Sequence, residues 1–278
     1  MQTRGMNLST KTQFERDTEV TLIEEGLYEA NLSRDWWIVR GPNGGYIAAI
    51  LQRALSAHVN DDGRRPRSLT VHYVSPPVEG EAQIAVKMER RGRTLTSLSI
   101  RMTQGPHVRA LGLAALASPR KIDGFDHMTM PEVPPPGSLS HMDLSPPVHQ
   151  RYEHRFITDF EPAPGRPGAR VAAWLRLAEP QRLDPFLLAA YADALPPSTF
   201  GISPATDEFQ VGPVPTVDLT VHFRADPAKL DIAPDAFCLA VCRSRLARDG
   251  FVEEDGEIWS PCGILLAHSR QLAVTLGR

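Results

Sequence analysis

The sequence predicts an α+β protein made of two tandem copies of one unit, each an antiparallel sheet curled around a single buried helix. Three observations carry this. LTVHY at 69–73 returns as LTVHF at 219–223, an offset of 219 − 69 = 150 residues. Upstream of each copy lies an apolar run of helical length, GGYIAAILQRALSA (44–57) and DPFLLAAYADAL (184–195). Downstream of each come alternating, β-branched runs divided by turn signals, as in an antiparallel meander.

Residues 1–20 are polar and charged, without the apolar core of a signal peptide. The run at 44–57 is apolar on every side, so it reads as a buried helix, with Asn43 as cap. After the 69–73 strand, AQIAVKMERRG, RTLTSLSIRMTQG and HVRALGLAALA read as strands joined by hairpins at RG and QG. Residues 119–150 hold seven of the chain's 25 prolines and read as an extended linker. They separate an N-terminal unit, 1–118, from a C-terminal unit, 151–278. The second helix has Asp184 as N-cap and Pro185 at its first position. Its meander follows as AFCLAVCRSRLARDG, FVEEDGEIWSPCG and ILLAHSRQLAVTL. A helix apolar all round needs a sheet that wraps it. That is the hot-dog arrangement, and two copies make a double hot-dog.

Composition narrows the function. The 278 residues are 42% hydrophobic and 23% charged, with a formal net charge of −3, ordinary for a globular protein and too near neutral to favour nucleic acid. No apolar run approaches the roughly 18 residues of a membrane span. Cys238, Cys242 and Cys262 lack metal or redox spacing and read as reduced thiols of a cytoplasmic protein. Asp193 stands out, a carboxylate within the apolar run LLAAYADAL. Buried without a partner it is costly. At a fraying helix end before Pro196 and Pro197 it reaches solvent.

Taken in order, EEGLYEA, GPNGGYIAAI, SLTVHYVSPPVEGEAQIAV, ERRGRTLTSLSIRMTQG, YADALPP, PTVDLTVHF and EEDGEIW…GILLAHSRQLA resemble the acyl-CoA thioesterase II type of double hot-dog thioesterase nearly end to end. The resemblance implies hydrolysis of an acyl-CoA thioester without metal or organic cofactor; homo-oligomers are common in the family, so a homodimer is the expectation for assembly. In that family an Asp, a Thr and a Gln hold a water; here these fall on Asp193, Thr216 and Gln271. The family's GGQ at the first helix entry is Gly44-Gly45-Tyr46 here, which alters the substrate-binding lining.

The three side chains suit the chemistry. A carboxylate takes a proton from water, and hydroxyl and amide groups aim the water and meet the developing oxyanion. The repeat supplies a control. With Ala48–Ala49 set on Ala189–Ala190, Asp193 matches Gln52; Thr216 matches Pro66, and Gln271 matches Ala115 in a loose register. One site per chain is expected. Gly44 and Gly45 open a helix, where backbone N–H groups polarise a bound carbonyl or simply make a tight turn. Arg90, Arg91 and Arg93 suit CoA phosphates or a solvated hairpin tip.

Competing readings stay open. Strict alternation puts Thr216 with Asp218, Thr220 and His222, away from the helix side, unless the strand bulges. Gln271 fits an exposed strand position as well. His72 with Asp193 imitates the His/Asp pair of hot-dog hydratases and dehydratases, although His72 and His222 share one repeat position, which suits a structural role. A non-catalytic acyl-CoA-binding protein is the third class.

Overall fold

The computed structural model describes residues 11–157, 169–201 and 213–276. Residues 1–10 of the polar N-terminal stretch lie outside them. Three helices occur among the described residues: α1 (Gln13–Asp17), α2 (Gly44–Val59) and α3 (Pro185–Tyr191). The strands of the first half are β1 (Thr21–Glu24), β2 (Leu27–Leu32), β3 (Arg65–Tyr73), β4 (Gly80–Arg91), β5 (Leu95–Gln104) and β6 (His107–Ala117). Those of the second are β7 (Tyr152–Phe156), β8 (Ala169–Leu177), β9 (Thr216–Phe223), β10 (Cys238–Ser244), β11 (Ala247–Arg248), β12 (Phe251–Trp259) and β13 (Leu265–Val274). All pair antiparallel in one sheet of order β1-β2-β4-β5-β6-β3-β9-β13-β12-β10-β8-β7, with the short β11 beside β12. This is a double hot-dog.

The two halves join through β3 and β9, and the joint is symmetric in sequence. Ser68 pairs with His222 and His72 with Asp218, while Thr70 faces Thr220. Adding or subtracting 150 exchanges the outer two pairs and leaves the central one in place. The Thr70 and Thr220 hydroxyls lie 3.0 Å apart there. Both strands also bulge at matched positions, β3 at Arg67 between Pro66 and Ser68, and β9 at Val217 between Thr216 and Asp218.

The helices run antiparallel inside the curl. Gly45 at the start of α2 meets Ala190 near the end of α3, and Arg53 of α2 covers the Phe186 ring at 4.3 Å. Each helix starts where its cap dictates. Asn43 Oδ1 accepts from the Tyr46 N–H at 3.0 Å, and Asp184 Oδ1 accepts from the Leu187 N–H at 2.7 Å. α2 ends on Asn60 in the left-handed conformation. α3 is shorter than the predicted 184–195, stopping at Tyr191. The Asp193 and Ala194 N–H groups reach back only three residues, to Ala190 and Tyr191. Pro196 then forbids a further helical turn.

The proline-rich segment is extended, with short 3-10 turns at Pro136–Ser138 and Pro147–Arg151. Its Met130, Val133 and Leu139 cover an apolar patch of the second half around Trp174, Leu239 and Trp259. The Trp174 indole donates to the Pro134 carbonyl at 2.8 Å.

Gly45 makes the close helix approach possible, because a Cβ there would lie 2.4 Å from the Ala190 carbonyl oxygen. Backbone cannot rotate away from such a clash. Gly45→Ala is therefore expected to destabilise the fold by about 1–3 kcal/mol, the usual cost of overpacking, read as a lower denaturant midpoint with unchanged slope. An unchanged midpoint would contradict this contact.

Candidate active site

The bulge at Val217 decides which way Thr216 points. Gln271 pairs with Leu219, whose side chain is in the core, so Gln271 faces inward. Past the bulge Thr216 pairs with the buried Ala273, which shares the face of Gln271. One extra residue thus turns Thr216 from the outer to the inner face. Its hydroxyl donates to Gln271 Oε1 at 3.2 Å.

Asp193 sits in the tight turn just beyond α3, partly buried, against the N-terminus of α2. Its Oδ2 accepts from the Gly45 N–H at 3.1 Å and from Asn43 Nδ2 at 3.0 Å. The same Asn43 amide donates to the Asp193 main-chain carbonyl at 2.7 Å. Both of these contacts to the Asp193 side chain fall on the same oxygen, Oδ2. Tyr73 closes one side, its hydroxyl donating to the Gly44 carbonyl at 2.7 Å. A Cβ on Gly44 would come within 2.9 Å of Asp193 Oδ2 and 3.0 Å of the Tyr73 ring, so that glycine leaves the carboxylate its place.

These surroundings set the proton affinity of Asp193. Burial pushes its pKa up to about 7, the Gly45 N–H pulls it down, and the nearby Glu254 carboxylate pushes it up again. The Gly44 N–H and Asn43 lower it less. Asp193 does not bond directly to Thr216 or Gln271. The site therefore has two parts, Asp193 with the α2 N-terminus and Thr216 with Gln271.

Glu254 was not among the sequence candidates. On β12 it pairs with Gln271 and is 7% exposed. It accepts from Gln271 Nε2 at 2.7 Å and from the Ser198 N–H at 2.6 Å. Cys242 lies beside it, its thiol held well above the usual range by burial and then by the Glu254 and Asp193 charges. A thiol so held is no nucleophile at neutral pH.

The other candidates fall elsewhere. Tyr46 is fully buried, stacked on Trp36 at 5.1 Å, and its hydroxyl donates to the Asp17 carbonyl. Its side chain faces away from Asp193, because α2 turns that residue toward the Trp36 cluster. The Gly45 N–H is already taken by Asp193. His72 is exposed opposite Asp218 on the outer face, so no His72–Asp193 pair forms. Arg91 reaches Asp61 at the β4–β5 hairpin.

The first half has no equivalent site. Gln52 replaces Asp193, buried and donating to Ser56 Oγ at 3.1 Å. Pro66 replaces Thr216. Since Leu69 pairs with Ala114 as Leu219 pairs with Gln271, the counterpart of Gln271 is Ala114, one residue from the Ala115 expected. Pro185 and Phe186 stand where Gly44 and Gly45 do. A cleft of about 400 Å³ lined by Arg53, Ser56 and Phe186 marks that end of the helix pair.

Known proteins agree with this architecture. Residues 33–117 match the family model of the acyl-CoA thioesterase N-terminal domain, and residues 126–275 that of the C-terminal domain. The chain belongs to the acyl-CoA thioesterase family. Family and fold together support thioester hydrolysis as its chemistry. A hot-dog protein of unknown function from Alicyclobacillus acidocaldarius is 25% identical, with a TM-score of 0.84 over 97% of this chain and 100% of that one. The acyl-CoA thioesterase II TesB2 of Mycobacterium marinum, 20% identical, shares the fold at a TM-score of 0.78 over 95% and 98%. The thioesterase-like protein TwmA of Talaromyces wortmannii is 30% identical over 94 residues, 33% of this chain and 27% of that relative's length. No helix among the described residues is long and apolar enough to cross a membrane.

A raised carboxyl pKa makes the folded state hold its proton more tightly than the unfolded chain does. The resulting stability is complete below the ordinary carboxylate range, near pH ~4, and is lost as pH rises through about 7. Asp193→Asn escapes that loss. Its melting temperature should exceed that of the parent at about pH 8 and converge with it near about pH 4. A gap that is constant across pH would contradict the raised pKa.

Proposed function

We propose that this chain hydrolyses an acyl-CoA thioester to a free acid and CoA, with Asp193 as base and Thr216 and Gln271 holding the water. The observation that supports it best is geometric: a carboxylate beyond α3 whose Oδ2 is held by the Gly45 N–H and Asn43 at the opening of α2, in surroundings that push its pKa up to about 7. A general base works best with a pKa near the operating pH.

In this reading a water lies between Asp193 Oδ1 and the Thr216–Gln271 pair. Asp193 takes its proton as the water oxygen attacks the thioester carbonyl carbon. The Gln271 Nε2–H not used by Glu254 meets the oxyanion. Collapse breaks the C–S bond, and the proton held by Asp193 passes to the departing CoA thiolate. Gly44 and Gly45 serve by seating the base at the helix N-terminus. No metal or organic cofactor takes part.

The test is thiol release from butanoyl-, octanoyl- and palmitoyl-CoA. kcat/KM should rise with pH through a midpoint near about 7. Asp193→Asn should lower kcat on the order of 10²–10⁴-fold with little change in affinity. Release by neither parent nor variant favours acyl-CoA binding without turnover, and normal turnover in the variant sinks the mechanism. Gln271→Ala should slow turnover, whereas Gln52→Leu, at the matching place in the other half, should leave it within about twofold. Equal losses would point to a second site.

A further inference from the structure

We propose that Glu254 is a positioning residue of this site, the acceptor that fixes the sense of the Gln271 amide and the charge that faces Asp193. The proposal rests on the hydrolytic reading above and deepens it.

The hydrogen bonds leave one arrangement. Glu254 takes an N–H on each carboxylate oxygen, Ser198 on Oε2 and Gln271 on Oε1, which is the pattern of an ionised acceptor. An ionised carboxylate only accepts, so the NH₂ end of Gln271 must face it. Gln271 Oε1 is thereby turned to Thr216, whose hydroxyl donates. With a neutral amide at 254, the Ser198 N–H claims the carbonyl oxygen and the NH₂ end faces Gln271, so the Gln271 amide is driven to turn over and the order of donors facing the water is reversed.

The fold gives no packing reason for an acid there. Glu254 pairs with Gln271 as Leu98 of β5 pairs with Ala114, so Leu98 is its counterpart in the first half. Leu98 is 1% exposed. The same inward position is thus apolar in the half without a site and acidic in the half with one. Burying a charge there is costly unless its partners use it. The Ser198 N–H also ties Glu254 to the segment that follows Asp193, so one carboxylate holds both parts of the site.

The groups that face Asp193 come from four strands and a helix end. They are Glu254 on β12, Cys242 on β10, Tyr73 on β3, Tyr152 on β7 and the N–H groups that open α2. The phenol of Tyr73 and the thiol of Cys242 are raised by burial first and are neutral in the working range; burial also raises the phenol of Tyr152. Glu254 is therefore the like charge in this group. Its removal should let Asp193 ionise at lower pH.

The experiment measures kcat, KM and the pH profile of kcat/KM with octanoyl-CoA for the parent, Glu254→Gln, Glu254→Asp and Asp193→Asn. Glu254→Gln should lower kcat about 10- to 100-fold, the scale of a misplaced catalytic group, with KM nearly unchanged. Its acid limb should move to lower pH by on the order of one pH unit. Glu254→Asp keeps the charge but shortens the reach, so its limb stays in place while kcat falls. In a Gln271→Ala background, Glu254→Gln should cost no further kcat yet still move the limb. A parental profile and kcat in Glu254→Gln overturn the proposal. If that variant does not fold, Glu254→Asp decides: a displaced limb or an undiminished kcat overturns it. Normal turnover in Asp193→Asn fails the hydrolytic reading itself, whereas an inactive Asp193→Asn beside a parental Glu254→Gln fails only the role of Glu254.

Discussion

The contact between the N-terminus of α2 and Asp193 is what the rest of the site depends on. Two buried helices must pack antiparallel, and their ends meet where Gly45 lies against Ala190. That approach brings unpaired N–H groups to the one carboxylate leaving α3. Asn43 completes the arrangement by capping α2 with its oxygen and holding Asp193 with its nitrogen. Donors then partly offset burial, and the result is an acid near pH 7 rather than one permanently protonated.

The symmetry of the fold makes the chemistry of one half easier to isolate. β3 and β9 are exchanged by the 150-residue offset, and both bulge at the matching residue. The backbone that turns Thr216 inward therefore exists in both halves. What differs is the side chains placed on it. Gln52, Pro66, Ala114 and Leu98 stand against Asp193, Thr216, Gln271 and Glu254. Where α2 opens with two glycines, α3 opens with Pro185 and Phe186, and Arg53 lies over the Phe186 ring. A shared scaffold carries polar groups only where they converge.

Much of the fold was legible because its signals are local. The apolar helices and the Asp184–Pro185 start follow from residues close in sequence, and the LTVHY/LTVHF repeat is read by direct comparison of two short segments. The orientation of Thr216 was not legible, because alternation assumes a regular strand and nothing in PTVDLTVHF announces an extra residue at Val217. The end of α3 was overestimated for a related reason: the apolar pattern continues through Ala194 and Leu195 although Pro196 stops the helix earlier. Asn43 read only as a cap, since its second role requires α3 alongside. Glu254 does carry a sequence signal. In FVEEDGEIW it shares a face with Val252 and Ile258, both buried, so alternation alone marks a carboxylate pointing inward.

The most direct measurement is the titration of the Asp193 carboxyl carbon by ¹³C NMR in the ligand-free protein, assigned by its loss in Asp193→Asn. A carboxyl held by burial, the α2 N-terminus and the Glu254 charge should titrate near about 7. A midpoint in the ordinary range near ~4 would mean that Asp193 is an acid open to water, and the account of the site would fall with it.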